Sequence, residues 1–125
     1  MVYYTIYNIT IYNITIYNIT IYNITKINMP MKAKLLFHRK NIEPNGDIAE
    51  MKIWQVQDSK DKPHGLKYSL VYIQNGKRII GFDNAEGKGD HKHYKGKEYT
   101  YDFKSIDNLI KDFYSMIEKM RGDNL

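Results

Sequence analysis

Two Asn-Gly dipeptides, Asn45-Gly46 and Asn75-Gly76, constrain this chain more than any other feature. Asn-Gly favours the positive backbone dihedrals of a tight hairpin turn, and each dipeptide here stands between short β-rich runs. The first joins a strand within residues 32–42, carrying Leu35, Leu36 and Phe37, to one at 48–56. In the latter, Ala49, Met51 and Ile53 share one face and Glu50, Lys52 and Trp54 the other, so one side covers a core while the other meets solvent or a ligand. Trp54 reads as packing ahead of base stacking, because large aromatics supply much of a small core. The second dipeptide joins strands at 67–74 and 77–83, and a further short strand at 98–103 would set Tyr99, Tyr101 and Phe103 on one face. Ser105 then caps a helix in which Ile106, Leu109, Ile110, Phe113, Ile117 and Met120 recur at helical spacing, and Gly122 ends it. One apolar stripe has to be buried against the sheet. The expected class is α+β: an antiparallel four- to five-stranded meander with one C-terminal helix packed on one face.

Residues 1–30 are of another kind. From Thr5 to Thr25 the chain cycles through Ile-Tyr-Asn-Ile-Thr with a period of five and no charge. Five is odd, so along a strand each residue type changes face at every repeat, and runs such as Tyr7, Ile9, Ile11 are followed on the same face by Asn13 and Thr15. The result has high β-propensity and poor register. Pentapeptide solenoids use a similar cycle, but twenty residues make only about one coil, and solenoids need several. The domain organisation expected is a low-complexity repeat at 1–30 outside the functional domain, followed by that domain at 31–125, with Met31 its start.

All fourteen acidic residues follow Met31, as do eighteen of the nineteen basic ones, leaving that part at +4 and the whole chain at +5. This balance favours a polyanionic partner. The absence of cysteine excludes disulfides, thiolate nucleophiles and thiolate zinc sites. There is neither an apolar run of about 18 residues nor the pattern of a signal peptide, so a cytoplasmic protein without membrane association is expected.

The chemistry concentrates in Gly87-Lys88-Gly89-Asp90-His91-Lys92-His93-Tyr94-Lys95-Gly96-Lys97, read as a glycine-hinged, RNA-facing loop leaving the fourth strand through Asp83-Asn84-Ala85-Glu86. With these residues in view, the segment from Met31 to about Glu118 resembles the TumE family of toxin-antitoxin toxins. The resemblance rests on Glu50-Met51-Lys52-Ile53-Trp54, on His64-Gly65 with Lys67-Tyr68-Ser69-Leu70, on Arg78-Ile79-Ile80-Gly81-Phe82-Asp83-Asn84, and on Gly87-Lys88-Gly89-Asp90-His91-Lys92-His93. Phe82 stands where tyrosine is expected and Lys92 where arginine is common, and the repeat has no counterpart in the family. The resemblance implies a small growth-inhibiting toxin made beside a helix-turn-helix antitoxin that neutralises it.

The residues themselves point to RNA. Metal-free cleavage needs a base for the 2′-hydroxyl proton, an acid for the leaving oxygen and cations for the charged phosphorane; histidine pairs suit the first two roles and lysine or arginine the third. His91 and His93 share a face in an extended segment, with Lys92 and Tyr94 on the other. His91, His93 and Asp90 form the candidate catalytic group, and Lys88, Lys92, Lys95, Arg78 and Tyr94 the candidate RNA and phosphate contacts. Asp83, Asn84 and His64 are supporting residues, Asp83 sharing with Asp90 the possibility of orienting an imidazole. No cofactor is expected. A divalent ion on Asp90, His93 and Asp83 is the rival reading, and a basic module that blocks translation by occupancy, using Tyr94, Tyr99 and Tyr101 for stacking, is the non-enzymatic one.

Overall fold

The computed structural model describes residues 5–6, 9–12, 22–26, 32–85 and 87–123, in two compact units, Met1–Lys32 and Ala33–Leu125. In the first, the repeat forms β1 (Thr5–Ile6), β2 (Ile9–Tyr12) and β3 (Tyr22–Lys26), paired antiparallel in the order β1-β2-β3 with a register shift between Ile11 and Tyr12. Tyr7, Asn13 and Thr15, whose faces the five-residue cycle fixes on paper, lie outside the described residues, as do Met31 and Glu86.

The second unit is a six-stranded antiparallel meander, β4 (Lys34–Ile42), β5 (Ile48–Gln55), β6 (Leu66–Gln74), β7 (Lys77–Asp83), β8 (His91–Tyr94) and β9 (Lys97–Thr100), followed by α1 (Ile106–Asp123). It has one strand more than the upper expectation. The extra strand is β8, whose His-Lys-His-Tyr sequence shows no apolar alternation; it is ordered by pairing with β7 and by a two-residue turn in which both Lys95 (φ 49°) and Gly96 (φ 83°) are left-handed. The run expected to be a loop is thus a hairpin over its second half. The first Asn-Gly also differs in detail: the Gly46 N–H closes on the Glu43 carbonyl at 2.9 Å, which places Pro44 and Asn45 at the centre of the turn.

Alternation assigns the two faces. Met51, Ile53, Tyr68, Leu70, Tyr72, Ile80 and Phe82 point to the side covered by α1 and meet Leu109, Phe113, Ile117 and Met120 in a single core. The Ser105 hydroxyl accepts the Asn108 N–H at 3.1 Å and caps the helix as its sequence requires. Gly122 lies within the last turn, one residue inside the end that its type marks. On the opposite face stand Lys52, Ser69, Asp83 and His91, in register across four neighbouring strands.

Candidate active site on the sheet face opposite the helix

The antiparallel register of β7 and β8 places His91 against Asp83 and His93 against Gly81, while Lys92 and Tyr94 lie against the core residues Phe82 and Ile80. Strand parity therefore puts both imidazoles on the face away from the helix. His91 Nε2 is 2.8 Å from Asp83 Oδ1, and His93 Nε2 is 3.6 Å from Asp83 Oδ2. The two rings meet edge to face with centroids 5.0 Å apart. One carboxylate serves two imidazoles.

His91 is the more deeply set, its side chain 5% exposed against 16% for His93 and 18% for Asp83. Its other ring nitrogen, Nδ1, lies 3.0 Å from the Gly89 carbonyl, and the Gly89 N–H donates to Asp61 Oδ1 at 3.0 Å. The loop between β5 and β6 thus holds the N–H side of the same glycine whose carbonyl holds His91. Both nitrogens of His91 face acceptors, the Gly89 carbonyl at Nδ1 and Asp83 at Nε2. Burial lowers the pKa of His93, and the positive charge of Arg78 lowers it further against the smaller opposing pull of Asp83.

Arg78 reaches this face by a local irregularity. The β6–β7 register shifts between Tyr72 and Ile73, where Ile80 opposes Tyr72 but Arg78 opposes Ile73, so one extra residue of β7 is absorbed and the parity changes. Arg78 consequently lies over Gly81: its Cδ is 3.1 Å from where a Cβ on that glycine would sit. The guanidinium stands 4.0 Å from Asp83 Oδ2 and is 46% exposed. Gly81 was the signal available in the sequence, since a glycine inside a strand marks a bulge or a close approach.

The remaining expected site residues lie elsewhere. Asp90 orients neither His91 nor His93; its carboxylate accepts from Tyr68 OH at 2.7 Å and lies 3.0 Å from His64 Nε2. His64 Nδ1 in turn accepts the Leu66 N–H at 3.2 Å, and its ring packs on Phe103 at 4.2 Å, so His64 and Asp90 form a separate cluster at the Tyr68 end of the core. Burial first, then the bond to Asp90, push the Tyr68 hydroxyl far up, which keeps it a donor. Asn84 is wholly buried and ties the start of β6, accepting the Tyr68 N–H and donating to the Leu66 carbonyl. Tyr94 donates to Asp123 at the end of α1, with Lys95 and Lys119 ammonium groups 5.3 and 5.9 Å from its ring centroid. Lys92 lines a cleft with Tyr101 and Asp112 on the helix side. Lys88 Nζ is 3.8 Å from Glu98, the residue opposite His93 on β9. The rival metal reading needs the same correction: among the described residues, Asp83, His91 and His93, without Asp90, offer ligand atoms that all lie within 4.8 Å of one another.

A protein-family model described as Toxin TumE matches residues 31–121. The chain belongs to the TumE toxin family. Membership carries a toxin role and implies an antitoxin partner. Searches of curated proteins and of solved structures found no match. Among the described residues of this TumE toxin, no helix is long and apolar enough to cross a membrane.

Proposed function

We propose that this TumE toxin blocks translation as a metal-independent endoribonuclease acting at Asp83, His91, His93 and Arg78. The observation that carries the reading is the convergence of two imidazoles and a guanidinium on one carboxylate on a single sheet face. His93, the more exposed ring, takes the proton of an RNA 2′-hydroxyl; the 2′-oxygen bonds to phosphorus as the bond from phosphorus to the 5′-oxygen breaks. His91 gives its Nε2 proton to the departing oxygen in exchange for its bond to Asp83. Arg78 meets the phosphoryl oxygens as their charge rises. The products are a 2′,3′-cyclic phosphate and a 5′-hydroxyl. Lys52 lies on the same face as the cluster and supplies charge along an approaching strand. In this reading the functional domain is residues 31–125, it works in the cytoplasm, and its helix-turn-helix antitoxin neutralises it by covering the basic site.

A second reading, inhibition by occupancy, has its own support: Trp54 is on the face opposite the helix with Lys67 Nζ 5.6 Å from its ring centroid, a pairing of charge and stacking surface that holds single strands without cutting them. Turnover separates the two. Purified toxin at one-hundredth of the RNA concentration, with a chelator present, is expected to convert most of the RNA to fragments ending in 2′,3′-cyclic phosphate. Intact RNA, with translation blocked only at equimolar toxin, would favour occupancy instead.

A further inference from the structure

The His91 ring is held in a way that serves a second purpose. A histidine that ligates a metal usually donates one ring N–H to a backbone carbonyl or carboxylate, which fixes the tautomer and aims the other nitrogen's lone pair at the ion. His91 Nδ1 is placed for that donation to the Gly89 carbonyl, and its Nε2 then faces Asp83 Oδ1 at 2.8 Å. With the neutral ring, a lone pair and a carboxylate oxygen would confront each other with nothing between them. The opposite neutral tautomer would set the Nδ1 lone pair against the Gly89 carbonyl, so a cation at Nε2 is one arrangement that satisfies both contacts.

The surroundings fit a cation. Asp83 Oδ2 is 3.6 Å from His93 Nε2, and the three ligand atoms lie within 4.8 Å of one another. Two ligands on a tetrahedral ion at ~2.0–2.2 Å are separated by about 3.3–3.6 Å, so shifts on the order of 1 Å gather all three around one centre. All three side chains are at least four-fifths shielded from solvent. Two imidazoles and one carboxylate suit zinc and its neighbours in the transition series, whereas magnesium prefers oxygen donors and keeps its waters. Arg78 opposes the ion, but its guanidinium is 46% exposed and 4.0 Å from the carboxylate, which leaves it room to swing aside.

We propose that Asp83, His91 and His93 bind one Zn2+ ion and that this ion switches the toxin off. The binding half stands on the geometry alone; the inhibitory half rests on the endoribonuclease reading, because a metal on both Nε2 atoms removes the lone pair that takes the 2′-hydroxyl proton and the proton that the leaving oxygen needs. Zinc availability would then set toxin activity independently of the antitoxin.

The test uses the full chain, stripped with chelator, with ZnCl2 titrated in competition with a chromophoric chelator and CoCl2 added separately for its visible absorption. One ion per chain is expected. Asp83→Asn and His93→Ala should each weaken binding by at least about tenfold, Arg78→Ala should tighten it, and His38→Ala, whose ring instead meets Glu50 Oε2 at 2.9 Å, should change nothing. MgCl2 in large excess should not compete. Circular dichroism of the His93→Ala protein confirms that loss of binding is not loss of fold. RNA cleavage should fall in step with zinc occupancy and return on adding EDTA, while Arg78→Ala should lower cleavage even as it raises affinity. Binding that is absent, or unchanged in Asp83→Asn and His93→Ala, overturns the site. Zinc that saturates the site while cleavage persists or rises overturns the switch. A chain that never cleaves RNA sinks the endoribonuclease reading, and the titration still decides the metal site.

Discussion

His93→Ala is expected to lower the rate of RNA cleavage by about 10²–10⁴-fold, the range for losing a positioned general base. The fold should survive, because the ring is at the surface of the sheet and its nearest carboxylate oxygen is 3.6 Å away, beyond hydrogen-bond reach. A stability change within about 1 kcal/mol is expected. His64→Ala provides the contrast: it removes the Asp90 contact and the packing on Phe103, so it should cost stability yet leave cleavage near the wild-type rate. Cleavage measured at saturating RNA separates the two residues. Equal losses in both variants would mean that the histidines matter only through the fold.

Asp47→Ala is expected to destabilise the toxin by about 3 kcal/mol, and to lower its melting temperature by on the order of 15 °C. Asp47 is 5% exposed and accepts from Tyr72 OH at 2.8 Å, Gln74 at 3.1 Å and Asn45 at 3.2 Å, tying the turn after β4 to the end of β6. Its removal takes the acceptor from the O–H of Tyr72, which is only 2% exposed and keeps beside it Arg121, a donor that cannot replace the carboxylate. Burial pushes the Asp47 carboxyl up, but the bonds from Tyr72, Gln74 and Asn45, with the charge of Arg121, outweigh it and leave the pKa lowered. A carboxyl with a folded pKa below its unfolded value of ~3.9 contributes stability that is fully present above that value and is lost as pH falls through the folded pKa. The stability gap between wild type and Asp47→Asn should accordingly be constant near neutrality and close below about pH 4. Thermal melts across that range check it; a gap that persists unchanged in acid would mean that the charge of Asp47 contributes nothing.

How much of this was legible in the sequence depends on whether the signal was local. The faces of β5 and the stripe Leu109, Phe113, Ile117 and Met120 could be read directly, because apolar residues repeat at intervals of two and of three to four, and the core keeps both patterns. β8 could not, since its order comes from hydrogen bonds to β7 and from the Lys95-Gly96 turn. The same division runs through the site. The shared face of His91 and His93 follows from their spacing of two. Their carboxylate does not: Asp90 is the chain neighbour, but the hairpin brings Asp83 opposite His91 and leaves Asp90 with Tyr68 and His64. Lys92 and Tyr94 took the face that alternation gives them, and that face belongs to the helix. Arg78 joined the site through a register shift that no pattern of residue types encodes, although Gly81 marked the place.

The central claim is that RNA meets the sheet on the face carrying Asp83, His91 and His93. A 2′-O-methyl oligonucleotide cannot be cleaved, so its titration into isotope-labelled toxin, followed by amide and imidazole NMR signals, maps the contact without turnover. Shifts concentrated at Gly81, Asp83, His93 and the Arg78 side chain, and weakened by added salt, are the result expected. Shifts confined to the cleft of Lys92, Tyr101 and Asp112 on the helix side, with the His93 imidazole unmoved, would contradict it.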